Sequence, residues 1–259
     1  MLRYLVDTHS EQKYLILGSA SRDLIRQSSE SLAGRIAYYN LGGFRITDFP
    51  DHPVKRLWLR GGFPRSESES WRENYIKAFL ERDIPQLGVN IPARTLRRFW
   101  IMLSHYHGEI LNHSELGRSF GISDKTVKQY INILEGTFMI RVLMPWHVNV
   151  GKRLVKSPKL YLRDSGIFHS LQTIDSYERL MLHNKVGASW EGFVLEEICK
   201  VIGKDDIYYW RTHTGAEVDL FWQNKGENWG VEIKYNDAPR LTKSIINGIK
   251  DLDLKHLWV

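Results

Sequence analysis

Two runs of alternating apolar residues, 216–222 and 229–235, flank the polar segment Gln223-Asn224-Lys225-Gly226-Glu227-Asn228, which is the pattern of an antiparallel hairpin. Closing the turn on Lys225-Gly226 sets Asp219 across from Glu232 and Trp222 across from Trp229. Strict alternation places Glu217, Asp219 and Phe221 on one face, with Ala216, Val218, Leu220 and Trp222 on the other. On the second strand Gly230, Glu232 and Lys234 lie opposite Val231, Ile233 and Tyr235. A strand over 207–210 precedes the hairpin, a helix seeded by Thr242 and Lys243 follows it, and a last strand begins at Lys255. Upstream, a helix starting near Val186 turns Trp190, Phe193, Val194, Ile198 and Val201 to one apolar side.

The N-terminal half reads differently. Residues 1–6 look like the end of a helix, 13–17 like a buried strand running into Gly18-Ser19-Ala20-Ser21, and 23–28 like the start of another helix. A strand that delivers Ser19 to a strand-helix junction fits the carboxyl edge of an α/β sheet; a plain serine-rich turn fits the same spacing. Pro50, Pro53, Gly61, Gly62 and Pro64 mark 48–64 as a connector. An amphipathic helix over 71–80 carries Trp71, Tyr75, Ile76, Phe79 and Leu80 on one side and ends at Glu81-Arg82-Asp83-Ile84-Pro85. A second, over 92–107, buries Leu96, Phe99, Trp100 and Leu103. His105 and His107 are two apart on it, face different sides, and read as surface or cap residues.

Residues 114–120 form a short helix, Gly121-Ile122-Ser123 a tight turn, and 124–138 a second helix capped by Ser123. With Leu116, Phe120, Ile122, Val127, Ile131 and Leu134 inside, this is a helix-turn-helix. Its second helix exposes Lys125, Thr126, Lys128 and Gln129, side chains suited to phosphates and base edges. Strands over 139–146 and 159–163, joined by a basic turn with Lys152, Arg153 and Lys156, supply a wing. Residues 165 onward start a short helix, and 172–184 read as a polar link.

Composition narrows the class. The chain has 259 residues, 42% hydrophobic and 25% charged, an ordinary globular balance. A net charge of +6 and a pI near 9.3 favour an anionic partner such as DNA. One cysteine, Cys199, excludes an intramolecular disulfide and fits a reducing compartment. No apolar run reaches bilayer length and no signal peptide is evident, so a cytoplasmic protein without membrane partners is expected.

Asp219, Glu232 and Lys234 form the candidate chemistry. Two hard oxygen ligands a few ångströms apart bind Mg²⁺ or Mn²⁺, and a nearby ammonium can orient a water. The same spacing also fits a solvated face with a Glu232–Lys234 or Asp219–Lys234 charge pair.

Asp219, followed by Glu232-Ile233-Lys234 and preceded by a helix carrying Trp190-Glu191-Gly192-Phe193-Val194, resembles the PD-(D/E)XK nuclease superfamily. The resemblance implies a helix acid at Glu191, with Glu196 and Glu197 as rivals. It also implies Mg²⁺ or Mn²⁺ ligands at Asp219 and Glu232, and a water-orienting Lys234. The stretches GASWEGFVLEEI, YYWRTHTGAEVDLFW and VEIKYNDAPRLTKS are similar to the C-terminal half of a prokaryotic AAA-type ATPase family whose C-terminal domain has no assigned function. YLILGSASRDLIRQSSESLAGRIAYYNLGGF resembles the segment after that family's Walker B strand, which implies nucleotide-binding remnants at Ser19 and Arg35. The family's Gly-Lys-Ser/Thr phosphate loop and its acidic Walker B strand are absent from this sequence. ATP is therefore expected only in an intact relative, and hydrolysis is not expected of this chain alone.

The expected architecture is mixed α/β: an ATPase remnant over 1–50, a helical connector over 51–108, a winged helix over 109–165, a linker over 166–184 and a nuclease-like domain over 185–259. Both ends read as truncations, or the chain as a decayed copy. The expected function is DNA binding through the winged helix beside a nuclease-like metal site. The alternative is a non-catalytic regulatory or protein-interaction module.

Overall fold

The structure, a computed structural model, describes residues 2–9, 11–18, 34–37, 39–49, 51, 53–66, 68–147, 154–203, 206–235 and 242–259. Helix α1 (Leu2–Thr8) opens the chain, and Arg35 Nε reaches its Asp7 Oδ1 at 2.6 Å. Residues 13–17 do not form the expected strand. Leu15 and Leu17 are exposed, and among the described residues no strand lies alongside to take up their backbone groups. Ser19 and the helix expected over 23–28 lie outside the described residues.

The connector is not irregular. A 3-10 turn, Ile46–Asp48, leads to helix α2 (Val54–Arg60), with Pro53 as its N-cap and Gly61 at φ 83° closing it. Proline before a helix and glycine after it are helix punctuation as much as loop signals. Helix α3 (Glu69–Ala78), capped by the Ser68 side chain accepting from the Trp71 N–H, does not end at Pro85. It widens into a π-helical turn, Phe79–Asp83, and continues as α4 (Ile84–Gln86). Pro85 brings no N–H and its ring crowds the preceding turn, and a wider turn absorbs both.

A winged-helix order follows: α5 (Ala93–His105), β1 (Glu109–Ile110), α6 (His113–Phe120), α7 (Asp124–Gly136), β2 (Ile140–Leu143) and β3 (Lys159–Leu162). Asn112 caps α6 through the Glu115 N–H, and Ser123 caps α7 through the Thr126 N–H. The strands form an antiparallel sheet in the order β1-β3-β2. Leu96, Phe99, Trp100 and Leu103 of α5 share one core with Leu116, Val127, Ile131 and Leu134, against which Phe120 and Ile122 pack. His105 is exposed, but His107 is not a surface residue: it is buried, stacks on Phe168, and its Nδ1 accepts from the Leu162 N–H at 2.9 Å.

The short helix expected from 165 is α8 (Ser165–Leu171), while the polar link expected over 172–184 carries a second helix, α9 (Tyr177–Leu182). Every residue of α8 is buried, since the helix packs against α2, α3, α5 and α10 together. Its His169 joins a sealed chain: Trp58 Nε1–H donates to Ser189 Oγ (2.9 Å), which lies 2.7 Å from His169 Nε2, while Nδ1 meets the Leu59 carbonyl at 2.9 Å.

The last unit runs α10 (Val186–Ile202), β4 (Ile207–Arg211), β5 (Glu217–Asn224), β6 (Glu227–Val231), α11 (Lys243–Asp251) and β7 (Leu254–Trp258). Its sheet order is β4-β5-β6-β7, antiparallel except for the β6–β7 pair. The hairpin closes on Lys225 and Gly226, both at positive φ, and pairs Trp222 with Trp229 as the turn chemistry predicts. Strict alternation fails on β5. Against β4, Tyr208 pairs Phe221 but Trp210 pairs Val218, so β5 carries one extra residue at 219–220. Val218 and Phe221 consequently share the cluster containing Leu252 and Leu254, while Leu220 and Trp222 join Leu195 and Cys199 of α10. On α10, Val201 is exposed rather than buried, and Glu196 and Glu197 are buried instead.

The wing docks onto this unit. The Trp146 N–H donates to the Tyr209 carbonyl (2.6 Å), the Tyr209 N–H to the Met144 carbonyl (3.1 Å) and the Val155 N–H to the Arg211 carbonyl (3.0 Å), which covers the free edge of β4. Leu143 and Tyr161 enter the same core as Leu195, Tyr209 and Leu220. Among the described residues no helix is long and apolar enough to cross a membrane.

Candidate functional site

Helix α10 turns Glu191 toward the sheet. It can lie close because Gly192 follows: a Cβ there would stand 2.2 Å from His107 Nε2. The extra residue in β5 falls at Asp219, where a bulge re-aims a side chain. Asp219 Oδ2 accepts the Ile233 N–H at 2.8 Å, which fixes the backbone carrying Glu232 beside it. Glu232 is buried, with Oε1 2.6 Å from the exposed Lys234 ammonium and Oε2 without a hydrogen-bond partner.

A residue from outside the unit sits at the centre. Lys159, the first residue of β3, is 3% exposed. Its Nζ lies 2.5 Å from Glu217 Oε1, 3.1 Å from Glu191 Oε1 and 3.5 Å from Asp219 Oδ1. Tyr161, two residues along the same strand face, donates its hydroxyl to Glu191 Oε1 at 2.5 Å. Arg211 Nη1 stands 3.5 Å from Glu217 Oε2. Burial works against the Lys159 charge, but the surrounding Tyr161, Glu191, Asp219 and Glu217 hold its pKa well above the ordinary lysine range. Burial raises the Glu191 carboxyl and the nearby Asp219 raises it further, against the pull of Lys159. Burial and Asp219 likewise push Glu232 up to about 7 despite Lys234.

The two rival acids on α10 are engaged elsewhere. Glu196 accepts both Arg141 Nε and Arg141 Nη2, the latter at 3.0 Å, and Arg163 Nε at 3.3 Å. Glu197 accepts the Ile46 N–H at 2.8 Å and Lys200 Nζ at 2.6 Å. Lys159 of β3 and Arg163 just after it, with Tyr161 between them, are therefore turned onto α10 and not exposed as part of a wing.

On the helix-turn-helix, Lys125, Lys128 and Gln129 are exposed on α7, while Thr126 is half-buried with its hydroxyl 2.9 Å from Ser123 Oγ. Lys152 and Arg153 lie outside the described residues. Lys159, Tyr161 and Glu217 carried no role in the sequence. The available signal was a polar residue at each second position of Lys159-Leu160-Tyr161-Leu162-Arg163, which is as compatible with a buried ionic face as with a solvated one.

Comparison with known proteins divides the chain at the same place. Residues 52–178 match Domain of unknown function (DUF8612), and residues 186–259 match Domain of unknown function (DUF4143). Lys159 falls in the first and its carboxylate partners in the second. The chain is 44% identical over 267 positions to uncharacterized protein Mb2031c of Mycobacterium bovis and, with the same figures, to uncharacterized protein Rv2008c of Mycobacterium tuberculosis. These alignments cover 100% of this chain and 60% of each relative, so the chain spans about three-fifths of their length. The crystal structure of transcriptional regulator PA3341 overlaps 51% of this chain and 91% of its own at 17% identity, with a TM-score of 0.24.

Proposed function

We propose that this chain is a DNA-binding part of an AAA-type ATP-binding protein, contacting the duplex through helix α7. The observation that carries this reading is the solvent-facing row Lys125, Lys128 and Gln129 on a helix held rigid by the Ser123 cap and the core beneath it. Ammonium groups there neutralise phosphates, and Gln129 offers an amide to base edges. The test is fluorescence anisotropy with duplex DNA across a salt series. The reading expects affinity that falls steeply with salt and drops at least about tenfold in a K125A/K128A variant. Affinity indifferent to both substitutions would transfer α7 to protein docking.

A second reading, a nuclease-like site in the α10–β7 unit, has one specific observation in its favour. In its support, Lys159 Nζ meets both Glu191 of α10 and Asp219 of β5, Asp219 accepts the Ile233 N–H, and the neighbouring Glu232, just past β6, pairs with Lys234. Asp219 and Glu232 would be the ligands of Mg²⁺ or Mn²⁺. As folded, however, these residues do not fit a metal. Among the described residues no three His, Cys, Asp or Glu side chains converge closely enough to hold one, and the Lys159 ammonium stands between Glu191 and Asp219. The non-catalytic alternative rests on that same ammonium.

A further inference from the structure

We infer that the cleft between the winged helix and the last unit is a binding site for a small organic phosphate. The cleft has a volume of about 540 Å³, a size that holds a metabolite, and ligand sites favour the seams between folded units. One wall is the end of α5 with β1 and α6; the other is Lys185, just before α10, and the turn that follows β4. None of Glu191, Asp219, Glu232 and Lys159 lines it. The second wall is fixed before any ligand arrives: the Val155 N–H donates to the Arg211 carbonyl at 3.0 Å, and the Thr212 hydroxyl accepts the Ala216 N–H at 3.0 Å.

The charged groups name the ligand. Arg211 Nη1 stands 3.5 Å from Glu217 Oε2, but Lys159 holds the other oxygen of Glu217 more closely, at 2.5 Å. A guanidinium with five donors and one long contact is under-used. Lys185 Nζ meets Glu109 Oε1 at 3.1 Å and has two further donors. The carboxylates of the opposite wall are both engaged, Glu109 by Lys185 and Glu115 by the Tyr106 hydroxyl at 2.9 Å. His105 and His213 bring imidazoles to the same cleft. Burial and then the neighbouring His105 and Lys185 push the His183 imidazole below its usual range, so basic groups crowd this mouth. Two carboxylate oxygens would satisfy one fork, whereas the three terminal oxygens of a phosphate accept from donors on separate elements. Tyr106, Ile110 and Val155 add an aromatic and apolar surface that a bare phosphate would leave uncovered.

Calorimetric titration of phenyl phosphate and of inorganic phosphate into the full chain tests the inference, with R211Q, H213A and K125A/K128A alongside. The wild type should bind phenyl phosphate saturably in the submillimolar range, and inorganic phosphate at least about tenfold more weakly. R211Q should weaken phenyl phosphate at least about tenfold and H213A at least about threefold, while K125A/K128A leaves it unchanged. No saturable binding by the wild type overturns the site. Equal affinity for the two phosphates overturns the organic half of the assignment. Binding lost in K125A/K128A and kept in R211Q moves the anion to α7 and overturns the cleft. Should R211Q fail to fold, the exposed His213 decides, since its removal spares the core: affinity unchanged in H213A overturns the inference.

Discussion

Glu196→Ala should loosen the junction between the winged helix and the last unit. The Glu196 side chain is 4% exposed and accepts from the Nε atoms of Arg141 and Arg163, which come from β2 and the residue after β3. Burial alone would raise its carboxyl, but Arg141 and then Arg163 hold it below the usual range. Breaking a buried pair typically costs about 3–5 kcal/mol when the remaining charge is stranded in the interior. Here the guanidiniums keep side-chain exposures of 19% and 22% and can recover water. The cost therefore falls at or below the foot of that range, about 2–3 kcal/mol, or a fall of roughly 5–10 °C in Tm for a chain of this size. Urea unfolding followed by circular dichroism measures it. The cycle with R141A should be less than additive, since both changes delete the same contact. A loss below about 0.5 kcal/mol, or full additivity, would refute the reasoning.

Other consequences follow from the same packing. Gly192→Ala should destabilise by about 1–3 kcal/mol in urea titrations, because its Cβ would lie 2.2 Å from His107 Nε2 and the overpacking exceeds the gain in helix propensity. Acid should weaken the fold in a defined window. Burial lowers His107 to about 3 and His169 to about 4 from 6.5, so the unfolded chain binds protons first. The stability these two contribute is present above pH 6.5 and is lost as pH falls toward 4. Between pH 6.5 and 5 they cost about 3 kcal/mol, while Glu232, raised to about 7, gains protons in the folded state and offsets roughly half. Glu232→Gln should therefore steepen the decline in urea midpoint over that interval, and a decline unchanged by it would contradict the assignment.

Local chemistry made much of this fold legible. Lys225-Gly226 fixed the hairpin register through backbone that only a primed turn accepts, and Asn112 and Ser123 announced the starts of α6 and α7. What the sequence hid depends on partners distant along the chain. Whether the polar face of β3 is wet or buried is decided by α10, more than twenty residues later. The extra residue at 219–220 is defined only against β4, so alternation within β5 could not show it. His107 looked like a helix-end residue because its cover, Phe168 and Gly192, comes from α8 and α10. Lys159, whose ammonium meets both Glu191 and Asp219, offered in the sequence only the alternation of polar residues along β3.

Lysine footprinting by acylation and mass spectrometry, with and without saturating duplex DNA, tests the account most directly. Lys125 and Lys128 should react readily in the free chain and become protected in the complex, while Lys243 and Lys255 stay unchanged and Lys159 stays unreactive without DNA. Equal reactivity of Lys125 and Lys128 with and without DNA, or labelling of Lys159 as fast as Lys125 in the free chain, would contradict it.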